Sequence, residues 1–315
     1  MVGMGHIYRA LSLANELYDN EVIFITDKSS QRVVNQLIEH SYPLQVYHGN
    51  EITNRIISLN PNLVVNDILN TNSSYINQLR DVGIRVVNFE DLGTGATAAD
   101  LTINELYDRP QLSGGNVLWG YQNFFVREEF ENAVPLRFAE KVENILLVFG
   151  GTDQHNLSEK IFFAIESICQ ELNIFIDVVS GPGYSGYRSL ARKMESRKCG
   201  RITHATGVIS RIMEKSQIAI TSNGRTVYEL AHMNIPSIVI PQHEREKTHA
   251  FADERNGFIP MDTYSEGKTE IEIRKLLRNL ITDTTYRYKL FNNMQPLSFS
   301  QNRKRIVQYL VNLLQ

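Results

Sequence analysis

Gly3-Met4-Gly5-His6-Ile7-Tyr8-Arg9 begins the sequence with the residue types of a reactive turn. Gly3 and Gly5 lack a Cβ, which allows a tight turn and close approach of main chain to a ligand. Beyond them Ile7, Ala10, Leu11 and Ala14 recur at i, i+3, i+4 and i+7, predicting a helix over 7–18. His6 therefore stands at or just before a helix N-terminus, where free N–H groups and the dipole favour an anion and disfavour imidazolium. A neutral imidazole in that place suits a general base. The same residues also fit an ordinary Gly-x-Gly turn with a capping histidine.

A second constellation lies at Ser222-Asn223-Gly224-Arg225-Thr226, between an apolar run and a helical pattern. A strand, a small polar turn and a helix start together make an anion cradle. Arg225 is the natural partner of a diphosphate. Glu229 has two readings: an acid that favours the helix dipole, or an acceptor for vicinal hydroxyls. Gly150-Gly151-Thr152-Asp153 is either a plain strand-to-helix turn or a second loop, with Gly151 and Thr152 facing phosphate or sugar. Asp67, Glu90 and Asp91 each follow an apolar strand, at the edge where open α/β sheets bind ligands. Asp67 or Asp91 would orient His6 or the substrate. His204 could flank a base pocket, whereas His155, His243 and His249 are not singled out. No His-Glu-x-x-His or Cys-x-x-Cys spacing points to a metal, and no Gly-x-Ser-x-Gly elbow points to a serine nucleophile.

The elements that must position these residues alternate. Strand-type runs at 21–26, 44–47, 63–67 and 85–91 are separated by helical stretches near 29–39, 51–59 and 72–82. A second series follows, with strands at 144–149, 174–179, 201–203, 218–221 and 238–240, and helices from 157, over 186–195, 207–215, 227–233, 247–255 and 297–315. This alternation predicts βαβ units and parallel sheets in two similar α/β halves. The boundaries read 1–135, 136–296 and a final helix 297–315. A Gly-x-Gly-His turn normally follows a strand, yet only Met1 and Val2 precede this one, so the first strand reads as missing and a fusion partner on the N-terminal side is expected.

With 315 residues, two domains are the natural division. A net charge of -3 gives no basic field for nucleic acid or a membrane surface. Cys169 and Cys199 make no disulfide framework, which fits a reducing cytoplasm. No apolar run reaches the ~20 residues that span a bilayer.

Taken together, residues 3–9, Gly120-Tyr121, Arg127-Glu128-Glu129-Phe130, Gly150-Gly151-Thr152-Asp153 and Ser222 through Glu229 resemble the UDP-sugar hydrolases of pseudaminic acid biosynthesis, the PseG type. The wider relatives are the glycosyltransferase MurG and spore-coat polysaccharide proteins of the SpsG type. The resemblance spans nearly the whole chain in order. It implies a GT-B fold, two Rossmann-like domains with parallel sheets facing across a cleft. It further implies that the C-terminal half holds UDP, with Glu229 on the ribose, Ser222 to Thr226 on the diphosphate and residues near 203–209 on the uracil. His6 matches the proposed catalytic base, no metal or other cofactor is required, and the last helix crosses back to the N-terminal domain. Two departures stand out. Ile68-Leu69 replaces a His-Tyr pair near the sugar, which points to a different sugar pocket. Lys247-Thr248 stands where MurG-type transferases carry paired glutamines, which speaks against a GlcNAc donor.

The implied activity is hydrolysis of a UDP-diacetamido-trideoxy sugar by water that His6 activates, with a small-molecule nucleotide sugar as the partner. Two alternatives use the same residues: a GT-B glycosyltransferase, and a nucleotide-binding domain of a fused pathway protein.

Overall fold

The computed structural model describes residues 4–31, 34 and 41–315. Gly3 and most of the helix predicted over 29–39 lie outside the described residues. The chain divides into two compact units, Met1–Arg127 with Phe299–Gln315, and Glu128–Ser298.

Unit 1 opens with α1 (Met4–Glu16), so His6 lies in the first turn of the helix rather than before it. Strands β1 (Phe24–Asp27) and β2 (Leu44–Tyr47) pair in parallel. Then come α2 (Ile52–Leu59), β3 (Leu63–Asn66), α3 (Ser73–Arg80), β4 (Arg85–Phe89), β5 (Leu101–Asn104) and β6 (Val117–Trp119). These last four strands form a parallel sheet in sequence order. Its two faces are covered by different helices because strand side chains alternate. Val86 packs with Ile56 of α2 and with Ile76 and Leu79 of α3. Val87 and Phe89 pack with Leu13 of α1 and with residues of the last helix. The β3–β4–β5 register sets Asn66 opposite Asn88 and Asn88 opposite Thr102, so the residues that follow these positions leave the sheet at one edge.

Unit 2 holds β7 (Asn144–Val148), α4 (Leu157–Glu171), β8 (Phe175–Ser180), α5 (Tyr187–Met194), β9 (Gly200–His204), β10 (Ile218–Thr221), α6 (Thr226–His232), β11 (Ser237–Val239) and β12 (Phe258–Pro260). Its six strands are parallel in the order β12-β11-β10-β7-β8-β9. The strand-order reversal lies between β10 and β7, where open α/β sheets present a binding crevice. Two helices that the apolar pattern did not reveal, α7 (Lys268–Thr282) and α8 (Thr284–Met294), complete this unit. The buried Arg287 of α8 donates to the carbonyls of Leu280, Ala139 and Glu140 and so ties α8 to the segment before β7. The final helix, α9 (Asn302–Leu314), returns to unit 1, with Ile306 and Leu310 in the core beside Leu13.

The helix predicted over 247–255 does not form. One turn at Glu244–Lys247 is helical, with His243 as its cap, and the chain then leaves the helix. Asn223 holds the carbonyls of Glu246 and His249, and this tertiary tie overrides local propensity. No helix among the described residues is long and apolar enough to cross a membrane.

Candidate active site

His6 is held from both sides of its ring. Nδ1 bonds Oδ1 of Asp67, just beyond the end of β3. Nε2 lies 3.2 Å from Oε2 of Glu90, just beyond the end of β4. Arg9, three residues on, is on the same face of α1. Its Nε donates to Asp67 Oδ2 at 2.7 Å and its Nη2 to Asp67 Oδ1. Nη1 donates to Glu105 Oε1 at 2.6 Å, and Nη2 lies 3.3 Å from Glu90 Oε2. The guanidinium is completely buried and stacks over the Phe89 ring at 4.8 Å.

The electrostatics follow from this packing. Burial alone would raise the Asp67 carboxyl, but the charges of Arg9 and His6 outweigh it and hold the group well below the usual carboxylate range. Burial likewise works against the charge of Arg9, and Asp67 and Glu90 more than restore it. His6, Asp67 and Glu90 offer ligand atoms within 4.8 Å of one another, close enough to hold a metal ion. A fixed cation already serves that acidic set, since Arg9 contacts both carboxylates.

Backbone strain gathers around the same cluster. Glu90 has φ +53°, and Leu69 and Asn70, just after Asp67, have φ +61° and +41°. Side chains other than glycine rarely adopt such values, and they persist only where surrounding contacts over-determine them.

Asp91, expected beside His6, is elsewhere. It is fully buried and accepts from the backbone N–H groups of Thr71 at 2.9 Å and Gly93 at 2.7 Å, and from Asn88 Nδ2 at 2.7 Å. Asp91 therefore fixes the turn that aims its neighbour Glu90. The sequence placed Glu90 at the ligand-binding edge of the sheet without a contact to His6, and gave no role to Arg9 or Glu105. The available signals were the i, i+3 spacing of His6 and Arg9, and an acid directly after the last residue of β4 and of β5.

In unit 2 the turn after β10 is built by backbone and amide bonds. Thr221 donates its hydroxyl to the Val148 carbonyl at 2.8 Å. The Asn223 N–H goes to Glu246 Oε2 at 3.2 Å, and Asn223 Nδ2 donates to the carbonyls of Glu246 at 2.8 Å and His249 at 3.0 Å. The His249 ring donates back to the Asn223 carbonyl at 2.8 Å. Asn223 thus uses its donors to tie the turn to the segment Glu246–His249, while its buried Oδ1 has no partner among the described residues. Ser222 is buried, Gly224, Arg225 and Thr226 are partly exposed, and Glu229 is buried in the first turn of α6.

The turn after β7 is of another kind. Gly150 has φ +71°, and a Cβ on Gly181 would stand 2.4 Å from the Cα of Gly151, so two turns touch backbone to backbone. Asp153 caps α4, accepting from the N–H groups of Leu157 at 2.7 Å and Ser158 at 2.8 Å. Burial raises its carboxyl against the pull of those bonds. The N–H groups of Leu157 and Ser158 at the start of α4 are therefore taken up by Asp153. His204 stacks on Tyr187 with centroids 4.1 Å apart and shares a hydrogen bond with Ser180 Oγ. Lys247 pairs with Asp262 at 2.8 Å and Glu244 at 3.1 Å.

No family model matches the chain. An uncharacterized protein of Methanocaldococcus jannaschii is 27% identical over 266 residues, 78% of this chain and 54% of that protein. The chain thus spans about half the length of that relative. The spore coat polysaccharide biosynthesis protein SpsG of Bacillus subtilis is 23% identical over 80% of this chain and 78% of its own. Among solved structures, MurG of Acinetobacter baumannii matches 98% of this chain and 96% of its own at TM-score 0.67 and 14% identity. MnaA of S. aureus, solved with UDP, matches 99% and 96%, also at TM-score 0.67 and 14% identity. The fold is the α/β type of these GT-B structures, with two Rossmann-like parallel-sheet units.

Proposed function

We propose that the chain is a nucleotide-sugar hydrolase that releases UDP from a UDP-linked diacetamido-trideoxy sugar. The observation that carries this reading is the pinned imidazole: His6 Nδ1 is fixed by Asp67 and Nε2 faces Glu90 at 3.2 Å, so the ring is oriented at both nitrogens, and Nε2 is the nitrogen we assign to proton transfer. In the reaction, Nε2 takes a proton from water while the water oxygen attacks the anomeric carbon. The bond from that carbon to the diphosphate oxygen breaks, and its electron pair leaves with UDP. Attack opposite the leaving group inverts the anomeric centre. The turn Ser222–Thr226 receives the nucleotide, Gly224, Arg225 and Thr226 meeting the developing charge and Glu229 the ribose hydroxyls. Asn223 and Glu246 hold the shape of that turn.

The choice of UDP is supported by the likeness to MnaA, which was solved with UDP, and to Anabaena HepE, which was solved in complex with UDP. Similarity to SpsG supports a place in the biosynthesis of a surface polysaccharide.

A second reading rests on Ile68 and Val65, apolar residues that flank Asp67 and are 53% and 37% exposed. An exposed apolar surface beside the base suits an acceptor carrying an apolar group. His6 would then deprotonate an acceptor hydroxyl and the enzyme would be a glycosyltransferase. Incubation with a panel of UDP-diacetamido sugars, followed by proton NMR, separates the two. Free sugar and UDP formed without an acceptor support the hydrolase. UDP released only when an acceptor is added supports the transferase, and no release from any donor rejects both.

A further inference from the structure

We propose that unit 1 takes up one further strand, an extended apolar segment on the N-terminal side of α1 that lies between β1 and β3 and joins them into a single sheet. Among the described residues β1 is bonded to β2 alone and β3 to β4 alone, so each has one side with no strand beside it. Yet the two pieces share their coverings on both faces. On one face α1 reaches both: Ile7 packs with Phe24 and Leu44, and Leu13 with Val87 and Phe89. On the other face Ile25 of β1 and Val64 of β3 pack against the same cluster of Ile56, Ile76 and Val86. Strands held in one layer by the same helices, with no main-chain bonds between them, are the two neighbours of a third.

Unit 2 shows what that third strand is made of. Its order β12-β11-β10-β7-β8-β9 puts the first strand of the unit, β7, in the middle. The next two strands lie on one side of β7 and the later ones on the other. In unit 1, β1 and β2 hold the places of β8 and β9, and β3, β4 and β5 those of β10, β11 and β12. The counterpart of β7 then falls between β1 and β3 and directly precedes α1, as β7 precedes α4. β7 is apolar and buried from Ile145 to Val148, because parallel neighbours and helices cover all its sides. Burial in unit 1 agrees with that placement. Val86 and Val87 are fully buried, whereas Phe24–Asp27 is half-buried throughout and Val65 of β3 is exposed. The segment is therefore apolar toward both faces, parallel to β1 and β3, and bonded to both through its main chain. Its connection through α1 to β1 completes a βαβ unit. The strand order then reverses between this segment and β3, where open α/β sheets bind ligands. His6, just after the segment, and Asp67, just after β3, meet at that point. Because the inference rests on strand order, it holds or fails independently of the hydrolase reading.

The test extends the full chain at its N-terminus with a copy of Asn144–Val148, attached directly and through a short Gly-Ser spacer. The controls are a Gly-Ser extension of equal length and a copy carrying Leu146→Pro, which removes a ladder donor. Melting temperature, amide exchange and sedimentation are measured on each. In at least one attachment the apolar copy should raise the melting temperature by on the order of 5–10 °C and slow amide exchange in Phe24–Asp27 and Leu63–Asn66 of a monomer. Both controls should match the unextended chain. Unchanged melting temperature and exchange in both attachments would overturn the proposal, as would protection that the Gly-Ser control reproduces. Protection lost when a dimer dissociates would also overturn it, by giving the place to a strand of a second copy. So would β1 and β3 amides that already exchange as slowly as those of β4 in the unextended chain.

Discussion

The His6 cluster of unit 1 and the Ser222–Glu229 turn of unit 2 both stand at strand ends, yet they are built from opposite materials. The first is made of charges. One cation, Arg9, is buried among Asp67, Glu90 and Glu105, which come from the ends of three successive strands. The second is made of main chain and amides. Asn223 is tied by four hydrogen bonds to Glu246 and His249. Buried charge is costly to keep and fixes direction closely, which suits groups that must move a proton. A neutral turn that presents backbone donors and one arginine suits an anion that arrives with its own charge. The contrast thus separates a region that reacts from a region that holds.

The severest way to break this comparison is to remove the shared cation. Arg9→Met leaves three carboxylates without their common partner. Loss of one member of a buried ion network costs about 3–5 kcal/mol. Urea unfolding should show that loss, and a variant within 1 kcal/mol of wild type by the same rule would mean that the charges are not interdependent.

The holding region predicts a different pattern. Arg225→Ala and Glu229→Gln each remove a hydrogen bond involving a charged group, worth about 1.5–3 kcal/mol, or ~10–100-fold in UDP affinity. Titration calorimetry should find that weakening while both proteins remain folded. Unchanged UDP affinity in both variants would take the nucleotide away from this turn.

A finer probe concerns the third turn. Asp153→Ala should lower stability by about 0.5–2 kcal/mol through loss of the α4 cap, with UDP affinity unchanged. Weakened UDP binding in a folded Asp153→Ala protein would tie this turn, with Gly151 and Thr152, to the nucleotide.

The smallest effect is one of pH. Asp67 has its folded-state pKa depressed, so its contribution to stability is complete above the ordinary carboxylate range near pH 4 and fades as pH falls through the lower folded value. Asp67→Asn should flatten the acid side of the stability curve. An unchanged acid slope would show that Asp67 does not couple to folding.

Much of the architecture was legible because its signals are local. Runs such as Val86-Val87 and Ile145-Leu146-Leu147 announce strands buried on both faces, and their alternation with amphipathic stretches predicts parallel sheets. The α7–α8 pair was not legible, since charges interrupt its apolar spacing and its burial rests on tertiary partners such as Arg287 with the Ala139 and Glu140 carbonyls. At the site, His6 and Asp67 stood out by type and place. Between the neighbours Glu90 and Asp91, sequence favoured the wrong one for contact with His6. A left-handed backbone at Glu90 decides which acid turns toward the ring, and β-strand alternation carries no sign of it. Arg9 carried no signal of its own, because its partners lie 58 and 96 positions away.

One experiment reaches the centre of the account: His6→Ala assayed for sugar release and titrated with UDP in parallel. Turnover should fall by about 10²–10⁴-fold while UDP affinity stays at the wild-type value. A variant that retains wild-type turnover, or one that loses UDP affinity as much as it loses rate, would contradict the division between a reacting region and a holding one.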